Sequence, residues 1–235
     1  MGGRSKALKP HSSSTEIERF LQRSDSLPLL SSSCRGRLIF ALDATASREP
    51  TWDRASHIQS QMFANTRALG ELYVQLCYYR GYHQFKGSRW MSDSKGLLEV
   101  MEGVRCLGGQ TQIARVLQHA LDESRNQPVQ GLVFIGDCVE EPVDLLCDLA
   151  GQLKICGTPV FVFHEGHDVV ASAAFRQIAR ISGGAYAPFN LNSASALESL
   201  LSAVAAFSIG GIPALEKLAG QHCEQVKLIK QQLER

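Results

Sequence analysis

Asp43-Ala44-Thr45-Ala46-Ser47 sets one carboxylate and two hydroxyls at alternating positions of a short run. Thr111, in Gly108-Gly109-Gln110-Thr111, supplies a third hydroxyl, and Asp137, in Ile135-Gly136-Asp137, a second carboxylate. All are hard oxygen donors, of the kind that take Mg²⁺ (or Mn²⁺) rather than a soft metal. An ion bound by hydroxyls and waters keeps more of its positive charge than one wrapped in carboxylates. It therefore wants an anionic oxygen from outside, and an Asp or Glu of another protein fills an open octahedral position. Without a positioned base, the same ion makes a poor hydrolase.

These donors act together only if the fold brings them together. Leu38-Ile39-Phe40-Ala41-Leu42 is a continuous apolar run, the pattern of a strand buried on both faces. Similar runs predict strands over 71–79, 131–136 and 159–164, with a short one over 185–189 and an edge strand over 85–91. Helical periodicity fills the intervals at 52–69, 94–102, 111–124, 143–153, 169–181 and 195–207. Strands alternating with helices of this length predict an α/β fold: a doubly wound, mostly parallel sheet with helices on both faces. Ligands of such sheets bind beyond the carboxyl ends of the strands. Asp43, Thr45, Ser47, Thr111 and Asp137 all fall at that edge. Taken singly, each has a plain structural reading: Asp43 starts a turn, Thr111 caps a helix, Asp137 forms an Asx turn. Their order and shared edge favour a joint site.

In this order and context the residues resemble the metal-ion-dependent adhesion site of von Willebrand factor A (VWA) domains. That family carries D-x-S-x-S after the first strand, a later Thr, and an Asp after a following buried strand. The resemblance covers about residues 37–207 and implies a six-stranded Rossmann-like sheet. It implies that Thr45 and Ser47 bind the ion directly, that Thr111 does so in the ligand-ready state, and that the two Asp act mainly through waters. Two departures stand out: Thr45 replaces the usual Ser, and Cys138 rather than Gly follows Asp137. Neither removes a donor. The resemblance further implies a bacterial-type, intracellular, non-enzymatic interaction module that grips an acidic residue of a protein partner, of the sort that pairs with ATPases or chaperone-like complexes.

Two other functions compete. One is a metal-dependent phosphoester hydrolase using the same pocket, for which His164 or Glu165 is the candidate base. The other is a structural assembly unit joined through the chain's last helix. His164-Glu165-Gly166-His167-Asp168 lacks the H-E-x-x-H spacing and reads as a polar loop. Arg48 and Glu49, just past the first donors, read as solvated loop. Asp43-Ala44-Thr45 lacks the second Asp of aspartyl phosphotransferases. No dinucleotide or P-loop glycine motif occurs, and Tyr78, Tyr79 and Trp90 read as packing residues.

Composition narrows the classes further. The 235 residues hold 24 Lys and Arg against 23 Asp and Glu, so no net field favours nucleic acid or an anionic membrane. No apolar run in the sequence suggests the ~18 residues of a membrane span. The first ten residues lack the apolar stretch of a signal peptide. Seven scattered cysteines without a C-x-x-C pair fit reduced thiols and a cytoplasmic setting. Three regions are expected: a flexible segment over 1–36 with a short helix at 15–23, the VWA-like domain over 37–210, and a C-terminal amphipathic helix over 211–235. In the last, Leu215, Leu218, His222, Val226, Ile229 and Leu233 recur at helical spacing.

Overall fold

Six strands form one sheet in the order β3-β2-β1-β4-β5-β6. They are β1 (Gly36–Asp43), β2 (Leu72–Arg80), β3 (Gln84–Gly87), β4 (Gly131–Gly136), β5 (Val160–Glu165) and β6 (Tyr186–Phe189). The structure, a computed structural model, describes residues 36–49, 72–92, 94–189, 194–219 and 224–234. The helices expected at 15–23 and 52–69, and His222, lie outside the described residues. All strand pairs are parallel except β2–β3, which is an antiparallel hairpin. The edge strand expected over 85–91 is thus shorter and earlier, and Met91 contributes only an isolated bridge to Val74.

The central strands are buried on both faces because helices cover both. Leu38, Phe40 and Leu42 of β1 point to one face, and Ile39 and Ala41 to the other, as strand alternation requires. The first face is covered by α1 (Ser94–Glu102), α5 (Ala194–Ala219) and α6 (Glu224–Leu233), through residues such as Met101, Val204 and Ile229. The second is covered by α2 (Ile113–Asn126), α3 (Val143–Ile155) and α4 (Val169–Ser182), through Leu117, Leu146 and Phe175. Helix α4 shows why such boundaries are legible. Asp168 Oδ1 accepts the Ala171 N–H at 2.6 Å at its start, and Gly183 closes it in the left-handed conformation, φ 77°. These residues belong to one compact unit, Arg35–Arg235.

The C-terminal region departs from the expectation of one helix over 211–235. Two helices lie there, the end of α5 and all of α6. Helix α5 breaks at Gly210 and Gly211, where φ/ψ are −136°/15° and 61°/−155°, and Pro213 starts the following piece. Leu215, Val226 and Ile229 are buried in the first core. Gln232 of α6 bonds both the N–H and the carbonyl of Tyr186, each at 2.9 Å, and so occupies part of the outer edge of β6. The expectation that no segment reaches membrane-spanning length also needs correction. Glu198–Leu218 is long and apolar enough by length and composition, at mean hydropathy 1.5. In this fold that stretch contains the glycine break, and Leu200, Leu201 and Ala203–Ala206 of it are packed in the core.

Candidate functional site at the carboxyl edge of the sheet

Asp43 is the last residue of β1 and fully buried. Its register partner on β2 is Tyr79, so the two side chains share a face. The Tyr79 hydroxyl donates to Asp43 Oδ2 at 2.9 Å, and the Thr45 N–H donates to Oδ1 at 2.8 Å. Burial pushes the Asp43 carboxyl above the usual carboxylate range; the Thr45 and Tyr79 hydrogen bonds oppose this, and the negative charge of Asp137 adds to it. A cation at this edge would favour the ionised form. Thr45, buried, and Ser47, exposed, bring their hydroxyl oxygens to 3.1 Å of each other on a short 3₁₀ turn, Ala46–Arg48. Asp43, Thr45 and Ser47 therefore form one preassembled group.

Asp137 follows β4, the strand between β1 and β5. Gly136 brings β4 close to the first group: a Cβ built there would lie 3.7 Å from the Asp43 Cβ. Asp137 Oδ1 is buried with no hydrogen-bond partner among the described residues. Such an oxygen is costly to bury unless something else meets it.

Thr111 is held differently from the expectation. Helix α2 begins at Ile113, so Thr111 precedes it and does not cap it. Its hydroxyl donates to Glu141 Oε2 at 2.6 Å and accepts the Glu140 N–H at 3.0 Å, while its own N–H donates to Glu140 Oε2 at 2.8 Å. Glu141 Oε1 accepts the Ala114 N–H at 2.9 Å, so a carboxylate from the β4–α3 loop satisfies the first turn of α2. The loop carrying Thr111 is seated on the β2–β3 turn by Gly109. A Cβ at that position would come within 2.1 Å of the Gly81 carbonyl oxygen. Thr111 is thus tied to Glu140 and Glu141, and among the described residues no hydrogen bond joins it to the group around Asp43.

Arg48 overturns the solvated-loop reading. It is 1% exposed and forms an ion pair with Glu165, the last residue of β5. Burial lowers the guanidinium's pKa, and the negative charges of Asp43 and Asp137 oppose that most strongly. His164 lies within β5, as the strand expected over 159–164 has it, and Glu165 extends that strand by one residue; both are buried, and the polar loop starts at Gly166. His164 Nδ1 lies 2.9 Å from the Tyr186 hydroxyl, and burial lowers its pKa. Of the two candidate bases, Glu165 is paired with Arg48, and His164 meets Tyr186 through Nδ1 while its buried Nε2 has no hydrogen-bond partner among the described residues.

Tyr79, Glu140 and Glu141 were missed as site residues. Their one sequence signal is position: each follows or closes a strand at the same edge. Among the described residues no group of three or more His, Cys, Asp or Glu side chains gathers as a metal cluster. A donor set of two carboxylates and three hydroxyls is of another kind.

This topology, with its donors at the carboxyl edge, is the Rossmann-like fold of VWA domains. The structure is similar to the VWA domain of SpRpn10, at 15% identity and TM-score 0.55, over 75% of this chain and 97% of that one. It is similar to proximal thread matrix protein 1 from the mussel byssus, with a zinc-occupied MIDAS motif, at 14% identity and TM-score 0.58, over 75% and 47%. It is similar to manganese-loaded TRAP protein of Plasmodium vivax, at 17% identity and TM-score 0.52, over 72% and 74%. At these identities the likeness establishes the fold. No protein-family model matches the chain, and no curated protein matches its sequence.

Proposed function

We propose that this chain is a non-enzymatic interaction module of the cytoplasm that grips a protein partner through a divalent ion, Mg²⁺ or Mn²⁺, at the carboxyl edge of its sheet. Asp43, Thr45, Ser47, Thr111 and Asp137 would hold it. When bound, the ion supplies an electrophilic position for an Asp or Glu of the partner. The observation that carries this reading is the buried, unpartnered Asp137 Oδ1 beside a preassembled Asp43–Thr45–Ser47 group. An acceptor that no donor meets, next to two hydroxyls already in contact, fits a hydrated cation better than it fits a closed structural network.

Thr111 has to change partners for this. Its hydroxyl is bonded to Glu141, so direct ligation requires that short bond to open. That exchange couples the site to the β4–α3 loop. The hydrolase alternative lacks an exposed base: His164 and Glu165 are both buried, Glu165 is paired with Arg48, and His164 meets Tyr186 through Nδ1, its Nε2 being buried without a hydrogen bond among the described residues. The assembly alternative loses support because Leu215, Val226 and Ile229 are buried within the chain's own core.

The test is a Mn²⁺ titration of the purified protein by electron paramagnetic resonance, followed by capture of partners from an extract with Mg²⁺ or with chelator. Reversible binding lost in Asp137→Ala, and capture lost in chelator, are expected. Metal binding unchanged in Asp137→Ala would place the ion elsewhere. Capture that persists in chelator would end the metal-bridged reading.

A further inference from the structure

Arg48 lies at the same edge of the sheet as Asp43 and Asp137. The loop carrying it leaves β1, and its partner Glu165 ends β5. Strand β4 lies between them. Neighbouring strands are ~4.8 Å apart, so a side chain joining these two points must cross the carboxyl end of β4. Asp137 begins there. The guanidinium is 1% exposed, and an arginine is almost never buried so completely unless paired.

The carboxylates around it outnumber it. Asp43, Asp137 and Glu165 all lie at the ends of adjacent strands. Asp137 Oδ1 nevertheless receives no hydrogen bond among the described residues, so Arg48 offers that oxygen charge without a bond. An arginine keeps its proton in any protein environment, so this positive charge is permanent. A second cation brought to the same carboxylates has to share them with it.

We propose that Arg48 is an internal counter-cation that competes with the divalent ion for the carboxylates of this edge, with Glu165 drawing it aside. The inference deepens the metal-binding reading and rests on it. Its consequence is a site weak by construction: metal enters against a resident charge, and a partner's carboxylate then adds the negative charge that tips the balance. Arg48 is a positioning residue here and not a ligand. Weak loading without a partner and firm loading with one make the ion part of the bound complex rather than a fixture of the free chain.

Two substitutions at this pair should move metal affinity in opposite directions. In the full chain, Glu165→Gln leaves Arg48 leaning more heavily on Asp43 and Asp137, and Mn²⁺ binding should weaken about threefold or more. The double variant Arg48→Met with Glu165→Gln removes both charges and leaves no orphaned ion. Its Mn²⁺ binding should tighten about tenfold relative to wild type. Arg48→Lys keeps the charge and should stay near wild type. A purely structural ion pair would weaken binding in both variants, so a double variant no tighter than wild type overturns the proposal, provided Asp137→Ala still removes binding. Should the double variant fail to fold, Glu165→Gln decides alone: unchanged or tighter binding overturns the competition. If wild type binds no Mn²⁺ and the folded double variant does, with loss on Asp137→Ala, competition is supported at its strongest. If no folded variant binds Mn²⁺ at millimolar concentration, the metal reading itself fails, and this inference with it.

Discussion

Each end of the sheet pairs an arginine with a glutamate, and the two ends treat the pair in opposite ways. At the amino end, Arg37 donates to Glu123 at 3.2 Å and to the Gln127 carbonyl at 2.8 Å, and stacks on Trp90 with its centre 3.9 Å from the ring. Glu123 also accepts from Trp90 Nε1 at 3.0 Å and from Gln75 Nε2 at 3.3 Å. A cleft of ≈ 290 Å³ lies there, lined by Arg37, Tyr73, Trp90 and Gln127, and its charged groups are met on several sides. At the carboxyl end, Arg48 and Glu165 are buried more deeply, yet Asp137 keeps an idle oxygen and Asp43 is pushed toward protonation. A network whose polar groups are all met holds a structure together. One left incomplete costs stability and marks a place where something binds.

The largest effect should come from the closed network. Glu123→Ala strips three donors of their acceptor and leaves the partly buried Arg37 without its carboxylate, at a cost of ~2–3 kcal/mol. Chemical denaturation should show this as a lower midpoint, while Mn²⁺ affinity stays at the wild-type value. Were metal binding lost as well, the two ends would not be separable. Next comes Gly109→Ala. Its Cβ meets backbone at Gly81, which cannot give way as a flexible side chain would, so the loop must shift at a cost of ~1–3 kcal/mol. That shift carries Thr111 with it, so Mn²⁺ affinity should fall too. A variant of unaltered stability would mean that this close approach is absent in solution.

Asp137→Ala should be smaller still in stability. It deletes an oxygen that no hydrogen bond meets among the described residues and eases the negative charge on Asp43, but it also withdraws one of the charges facing buried Arg48, so the opposed effects should leave stability within ~1 kcal/mol of wild type. Metal binding should vanish. Loss of several kcal/mol would show instead that Asp137 belongs to a structural network, like Glu123.

The contrast between the two ends also marks what a sequence discloses. Strands such as Gly131–Gly136 were legible because burial on two faces demands an unbroken apolar run, and the placement of Asp43 and Asp137 at one edge followed from strand topology. Arg48 was not legible. An arginine in a polar turn looks solvated, and its burial depends on Glu165 arriving from a distant strand. The hold of Glu140 and Glu141 on Thr111 was hidden for the same reason: the first turn of α2 is satisfied across a loop gap, so no local capping pattern records it. The boundary expected between residues 210 and 211 falls at the break of Gly210 and Gly211. The division of the C-terminal region into two helices was not legible, because apolar spacing runs on in phase across both.

The smallest effect is on acid stability, and it too separates the ends. Burial lowers the pKa of both His164 and His119, from an ordinary 6.5. In the unfolded chain each imidazole takes up a proton more readily than in the fold. The stability each contributes is therefore intact above 6.5 and is lost as pH falls through the lowered folded value. His119 lies beside Glu123 and Asp122, whose carboxylates partly restore its affinity for a proton, and it is only partly buried; its Nε2 meets Gln75 Oε1 at 2.9 Å. His164 is buried against Phe175 and Tyr186, with Asp137, Asp168 and His167 as its titratable neighbours. More complete burial should make His164 the more acid-sensitive of the two. Thermal unfolding of wild type between about pH 7 and pH 5 should show Tm falling with acid. His164→Gln should flatten that slope more than His119→Gln does. Slopes equal in all three proteins would mean that neither imidazole is held neutral by the fold. A larger flattening in His119→Gln would reverse the ranking and place the more strongly desolvated imidazole in the amino-end network. Added Mn²⁺ gives the last separation: bound beside Asp137 it repels a proton from His164, so the acid slope should change with metal in wild type and in His119→Gln, and should not in His164→Gln.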